Sequence, residues 1–345
     1  MNRETLHAPE RRERIDSISF GLYIPQKTLT NREIESWHIR TPGGNLLTAG
    51  DILKRTGVER RHVATKSETV EQMALIALEE AMKKKRNAGL IIATTSYPDR
   101  NLSQSLVNAK NYFPLLNIDI YAACSGFTRG LSFIKAHEMD FMGHSVLIVA
   151  SEKYSDKVFD LRKGAESDPS LAQTIFSDGA VAIHFVYGKD LRILSAKNQR
   201  LPSELAGSIR MPIDRSRMKP IYIEEPVPQS QSGKFEQDGR TVYRAVIDNV
   251  PRLIRETIKA ARLREGDIKL VIPHQGSGHI VEGLQDRLPN LNVFRDVSDG
   301  NFSSASIPKA LYKAREEGLI HRGDKVVLAG FGAGLFASVV VVEFH

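Results

Sequence analysis

The chain holds a single cysteine in 345 residues, Cys124, within Tyr121-Ala-Ala-Cys-Ser-Gly-Phe127. A thiol attacks as its thiolate, so its surroundings decide its reactivity. An apolar run, Leu115 to Ala123, leads into it, and an amphipathic stretch, Phe127 to Phe141, follows. This reads as strand, tight turn and helix, with the thiol at or just before the helix N-terminus, where N–H groups and the dipole favour the thiolate. A lone cysteine is also often a small buried hydrophobe, and this segment alone leaves both readings open. Two other residues could complete thiol chemistry. His274 follows the apolar run Leu270-Val-Ile, and Asn301 lies in Asp299-Gly-Asn-Phe-Ser-Ser304. Histidine can move a proton or donate from Nε2. An asparagine amide donates without ionising, which suits a developing oxyanion. The blander readings are a capping or surface histidine and a turn asparagine after glycine. Gly332-Ala-Gly334 is a tight turn, or a turn whose backbone N–H faces the thiol, and Asp178-Gly179 reads as structural.

These residues need strands to bring them together, and the strands repeat. Leu90-Ile-Ile-Ala-Thr-Thr95 and Val146-Leu-Ile-Val-Ala150 recur, 180 positions on, as Leu270-Val-Ile-Pro273 and Val326-Val-Leu-Ala329. The same offset pairs Cys124 with Ser304, Leu131 with Leu311, and the helical pattern Thr69–Ala81 with Asn249–Ala261. Each half closes on a glycine turn and a β-rich run. A repeat this long is a duplicated α/β domain rather than a solenoid unit. The spacing predicts a first half over 15–190 and a second over 191–345, with a cap loop at 197–243 where Pro, Gln and Ser accumulate. In open α/β sheets functional groups gather at the carboxyl ends of strands, and Cys124, His274 and Asn301 all fall there.

Composition bounds the rest. A hydrophobic fraction of 41% and a charged fraction of 26% fit a soluble globular protein with ample core. One cysteine excludes an internal disulfide and fits a reducing, cytoplasmic setting. No apolar run reaches membrane-spanning length. Residues 1–14 are polar and charged, and are expected to form a flexible extension rather than a secretory signal. The net charge of +7 points to an acidic substrate or partner such as nucleotide phosphates or an acidic carrier protein. Its spread over amphipathic helices, without a recognised motif, argues against nucleic acid.

The motifs together resemble the β-ketoacyl-acyl-carrier-protein synthase III family of the thiolase superfamily, over about Ile15 to Phe344. They are Arg55-Thr-Gly-Val-Glu-Arg-Arg61, Ala93-Thr-Thr-Ser96, Ala122-Ala-Cys-Ser-Gly-Phe127, Phe176-Ser-Asp-Gly-Ala180, Pro273-His-Gln275, Gly300-Asn-Phe-Ser-Ser-Ala-Ser-Ile-Pro308 and Gly330-Phe-Gly-Ala-Gly334. The resemblance implies a five-layer αβαβα sandwich of two duplicated halves, usually a homodimer. It implies that Cys124 carries an acyl group as a thioester, while His274 and Asn301 bind the carbonyl of a malonyl-type thioester. Decarboxylation then gives an enolate that attacks acyl-Cys124, forming a β-ketoacyl thioester. Backbone N–H groups of Cys124 and Ala333 would form the oxyanion hole. Arg55, Ser277, His279, Gly332 and Gly334 would contact substrate. Acyl-coenzyme A and a malonyl thioester on acyl carrier protein would be the substrates, with no metal or redox cofactor and no membrane partner.

The chain also departs from the family pattern. Asp51 stands where the family often has a tryptophan that stacks on adenine, and Trp37 lies far upstream. A family arginine falls at Ser170. Ser277 and His279 replace an asparagine and a carrier-docking arginine. Tyr97-Pro-Asp-Arg-Asn-Leu102 replaces an apolar stretch of the acyl pocket. These departures suggest a specialised homologue with a different, more polar acyl donor. Two alternatives keep other chemistry open: transfer of the Cys124-bound acyl group to an oxygen or nitrogen nucleophile, and a non-catalytic acyl-binding subunit.

Overall fold

The apolar runs fold as strands covered on both faces. The computed structural model describes residues 15–40, 44–83, 87–97, 100–155, 174–202, 209–210 and 236–345. Strands β1 (Ser19–Tyr23), β2 (Leu90–Thr94), β3 (Leu116–Ile120), β4 (Ser145–Glu152) and β5 (Gly179–Val186) form one sheet, in the order β1-β5-β4-β2-β3. Strands β6 (Leu191–Arg200), β7 (Leu270–Pro273), β8 (Lys325–Gly332) and β9 (Phe336–Phe344) form a second, in the order β6-β9-β8-β7. The repeat is visible in the register: β2 and β4 run parallel with Leu90 opposite Val146, and β7 and β8 run parallel with Leu270 opposite Val326. Where a counterpart of β3 would lie, Val293 makes only an isolated bridge to Val271.

Alternation along each strand divides the core. Leu90 and Ile92 of β2 face the middle of the molecule together with Leu270, Ile272, Val326 and Leu328 of the second sheet. Between the two sheets lie helices α3 (Gly126–Ala136) and α6 (Ser306–Glu316), through Phe127, Leu131 and Ile134 on one and Ala310, Leu311 and Ala314 on the other. The opposite face of the first sheet, Ile91, Leu147 and Val149, packs on α2 (Val70–Ala81). That of the second, Val271, Val327 and Val339, packs on α4 (Gly239–Ala260). The result is five layers, αβαβα. Strands buried on both sides read as continuous apolar runs, which is why they are legible in the sequence. Each fully buried Leu, Ile or Phe contributes about 1.5–3 kcal/mol of transfer free energy, so the middle layer holds the halves together.

Helix ends carry their own signals. Thr69 caps α2 in a capping box with Gln72, and Asp238 caps α4 by accepting from the N–H groups of Arg240 and Thr241. The helix after Cys124 stops at Ala136, short of Phe141, with a single turn Glu138–Phe141 following His137. The stretch Asn249–Ala261 belongs to the longer α4, which runs through Pro251. The proposed cap loop is therefore bounded by regular structure: 197–200 complete β6, and 239–243 open α4. Most of that loop, the 1–14 extension and Ser170 lie outside the described residues. Among the described residues no helix is long and apolar enough to cross a membrane.

Candidate active site

Cys124 sits in a single 3-10 turn, Ala123–Ser125, between β3 and α3. Ala123 is forced to φ 43°, in the left-handed region. Its counterpart Ser303, at φ 49°, opens the matching turn Ser303–Ala305 before α6. Left-handed backbone at a non-glycine residue costs about 1–3 kcal/mol and persists where the surroundings hold it. Here it turns Cys124 off the end of β3, whereas among the described residues no strand leads directly into Ser304; Asn301, expected at a strand end, lies instead in an isolated bridge to Phe176. Gly332, ending β8, passes so close to Cys124 that a Cβ there would lie 3.0 Å from both the Cys124 nitrogen and its Cβ. Only glycine lets the second half approach the thiol in this way.

His274 follows β7 and is buried, with its N–H donating to the Ala329 carbonyl at 2.8 Å. Phe331 meets its ring edge-on, 5.4 Å between centroids. Burial pushes its pKa down to about 3, so the ring stays neutral near neutral pH. Asn301 is fixed more firmly. Its main chain exchanges hydrogen bonds with Ile175 and Ser177, and its side-chain Oδ1 accepts from the Ser303 N–H at 2.7 Å. With Oδ1 committed, the donating Nδ2 has no partner among the described residues and is free for a ligand. Cys124, His274 and Asn301 line one cavity of about 440 Å³.

The thiol itself departs from expectation. Burial, with a smaller contribution from the nearby Glu152 charge, pushes Cys124 up to about 12, against the pull of the Ser303 hydroxyl 3.4 Å from Sγ. The helix N-terminus does not leave a resting thiolate. A shift of this size from an ordinary value of 9 corresponds to about 4 kcal/mol, whereas a helix dipole supplies about 0.3–1 kcal/mol.

The cavity also receives Arg55, from α1 (Ala49–Thr56), and Ser277 and His279, at the start of α5 (Gly278–Arg287). Gly57, capping α1, meets the backbone of Gly278 where the two helices touch. Gly332 and Ala333 line the cavity as well. Gly334 does not; with φ 106° it shapes the turn between β8 and β9 instead. Asp51 joins Thr48 in a capping box, and Trp37 packs beside Ile34 and Ile52. The remaining described lining is mostly apolar, including Leu201, Ile209, Val242, Val246, Leu335 and Phe336. This runs against the expectation of a polar acyl donor. Tyr97 is buried edge-on against Tyr154, and Arg100 forms an exposed ion pair with Glu71. Asp178 accepts from the N–H groups of Ala64, Tyr154 and Ser155, a structural anchor.

Sequence reasoning missed the polar network behind the thiol: Ser96, Glu152, Tyr154 and Ser303. A signal was present, because the offset of 180 that pairs Cys124 with Ser304 also pairs Gly332 with Glu152.

Comparison with known proteins agrees with this architecture. The family model described as 3-oxoacyl-[acyl-carrier-protein (ACP)] synthase III matches residues 118–199, and that of the C-terminal part of the same family matches 258–344. A relative from Aquifex aeolicus, Beta-ketoacyl-[acyl-carrier-protein] synthase III, is 28% identical over 342 residues, covering 95% of this chain and 98% of its own. The crystal structure of 3-oxoacyl-[acyl-carrier-protein] synthase III from that organism superimposes with a TM-score of 0.78 at 25% identity, covering 96% of this chain and 100% of its own. The priming β-ketosynthase of a polyketide biosynthetic pathway gives a TM-score of 0.76 at 27% identity, covering 99% of both chains.

Proposed function

The chain belongs to the β-ketoacyl-[acyl-carrier-protein] synthase III family, and from that premise we propose that it joins an acyl thioester to a malonyl-type thioester by decarboxylative Claisen condensation. Cys124 attacks the acyl thioester and keeps the acyl group. The malonyl thioester then places its carbonyl oxygen between His274 and Asn301. Loss of carbon dioxide leaves an enolate whose charge the two neutral donors share, and donors of this kind are worth about 10²–10³ in rate each. The enolate carbon attacks acyl-Cys124, and the backbone N–H groups of Cys124 and Ala333 receive the charge on the acyl oxygen. The scheme needs no metal or redox cofactor; coenzyme A enters as the acyl donor's thioester. Arg55, Ser277 and His279 line the cavity where that donor's nucleotide and pantetheine arm would enter.

One observation carries this reading. A thiol, a neutral imidazole and an amide whose Oδ1 is already committed line one cavity, supplied by the end of β3, the end of β7 and the segment that enters the turn before α6. The apolar lining favours a hydrocarbon acyl group. The family likeness supports an acyl-carrier-protein-borne malonyl group, a homodimer and a cytoplasmic setting.

The test is intact-mass detection after exposure to a panel of acyl-coenzyme A thioesters. One acyl group should appear on wild type and none on Cys124→Ala. His274→Ala and Asn301→Ala should still take the acyl group but lose condensation about 100-fold or more. No adduct from any donor would overturn the proposal. Adducts with no condensed product, and transfer to an oxygen or nitrogen acceptor that survives in Asn301→Ala, would favour simple acyl transfer.

A further inference from the structure

Glu152 is a fully buried carboxyl, 0% exposed, that the condensation scheme leaves unused. Its described hydrogen-bond partners are all neutral donors: Ser96 through its N–H at 2.9 Å and hydroxyl at 3.1 Å, and Ser304 through its N–H at 3.2 Å and its hydroxyl. From Ser96 Oγ the bonds continue to Ser303 Oγ at 2.9 Å, and from there to Cys124 Sγ at 3.4 Å. The Tyr154 hydroxyl donates into the middle of this chain, 3.1 Å from both Ser96 Oγ and Ser303 Oγ. The donor directions agree along its length. The thiol can donate to Ser303, Ser303 to Ser96, and Ser96 to Glu152. Moving one proton along each bond carries the thiol proton to the carboxylate and leaves both hydroxyls intact.

We propose that Ser303 and Ser96 relay the Cys124 proton to Glu152, which holds it while Cys124 carries the acyl group and returns it when the thiolate is released. This rests on the condensing reading above. In acylation the Cys124 S–H bond and the donor's acyl C–S bond break, a new S–C bond forms, the proton goes to Glu152, and the donor thiolate takes a proton from water. In condensation the bond to the malonyl carboxylate breaks, releasing carbon dioxide, and the enolate carbon bonds to the acyl carbon. The Cys124 S–C bond then breaks with its electron pair on sulfur, and the proton returns from Glu152. One solvent proton is consumed per turnover and nothing is oxidised or reduced. Glu152 acts through the two serines and touches no reacting atom, so it is a positioning residue for the proton.

Burial raises Glu152 to about 7, outweighing its serine donors, so it can both accept and return a proton near neutrality. The titratable groups facing it are Cys124 and Tyr154, with Tyr97 behind Tyr154. The adjacent Lys153 turns away, its Nζ donating to the Thr65 carbonyl at 2.6 Å.

The experiment follows alkylation of Cys124 by iodoacetamide, which needs the thiolate but no acyl chemistry, from acid to alkaline pH. Acylation by an acyl-coenzyme A is measured in parallel. Ser96→Ala, Ser303→Ala and Glu152→Gln should each slow alkylation at neutral pH about 10-fold or more and flatten the rise that wild type shows across neutrality. Glu152→Asp should recover part of it. A carboxylate acting by charge alone predicts the opposite sign for Glu152→Gln, because its charge opposes thiol ionisation. The serine variants keep Glu152 and its Ser304 partners, so they decide the matter if Glu152→Gln does not fold. Any of the three alkylating as fast as wild type overturns the relay. Wild type that alkylates but accepts no acyl group sinks the condensing reading instead.

Discussion

Burial decides what His274 can do. A ring whose pKa lies at about 3 is a neutral hydrogen-bond donor, not a cation, in the working range. The same burial makes the fold acid-sensitive. In the unfolded chain the imidazole protonates near its ordinary 6.5, while in the fold it resists until about 3. The unfolded state therefore binds more protons between those values. Stability is unaffected above 6.5 and falls as pH drops through the window, by about 2 kcal/mol at pH 5. His274→Gln should remove that part of the acid loss, read as a smaller drop in urea midpoint between neutral and mildly acidic buffer; an identical drop would contradict it. Gly276 adds a steric condition, since a Cβ there would lie 3.3 Å from His274 Cδ2 and Nε2. The residue types Cys, His and Asn were legible in the sequence, but the thiol's protonation state was not. It depends on how completely the cavity excludes water, and that comes from residues distant in the chain.

At the scale of elements, α3 must start hard against β2 for Cys124 to reach the cavity. Gly126 makes this contact: a Cβ there would fall 1.8 Å from Thr94 Oγ1 and 3.0 Å from Thr94 Cβ. Gly126→Ala should cost about 1–3 kcal/mol, lower Tm and slow Cys124 acylation. Thr94→Ala in the same chain should restore part of both, because it removes the nearer atom. The strands and the offset of 180 were legible because strands buried on both faces leave unbroken apolar runs. α4 was only half legible. Its N-terminal turn carries Asp238 as a plain capping signal, but the loop read from the Pro, Gln and Ser that precede it runs on to 243, across the first turn of the helix, while Asn249–Ala261 reads as helix despite Pro251. The apolar cavity wall was hidden for another reason. Leu47, Leu201, Val242 and Leu335 come from four separate segments, and no local pattern links them.

At the scale of the molecule, one buried carboxylate ties the arms that carry His274 and Asn301. Asp296 accepts from Lys309 at 2.7 Å and Lys313 at 2.9 Å on α6, and its N–H donates to the Gln275 side chain at 2.7 Å. Lys309 also reaches Asp299, which pairs with Arg60 of the first half. Burial raises Asp296, but the two lysines more than offset this and hold it below the ordinary carboxylate range. Its contribution is therefore full above about pH 4 and lost as pH falls through the lowered value. Asp296→Asn should cost about 3 kcal/mol at neutral pH, the low end for a broken buried pair because Lys309 keeps Asp299 at 3.5 Å, with a visibly shallower acid limb in urea unfolding. Lys313→Met, at a half-exposed position, should cost far less. The two left-handed elbows, at Ala123 and Ser303, have one more consequence. The internal repeat gives this chain two matching elbows, of which one presents a thiol, Cys124, and the other a hydroxyl, Ser304. Where Gly332 sets bare backbone against Cys124, its twin Glu152 sets a carboxylate against Ser304. With the Ser304 hydroxyl held by Glu152 and one thiol in the sequence, a full-length chain, however much donor it meets, should saturate at a single acyl group.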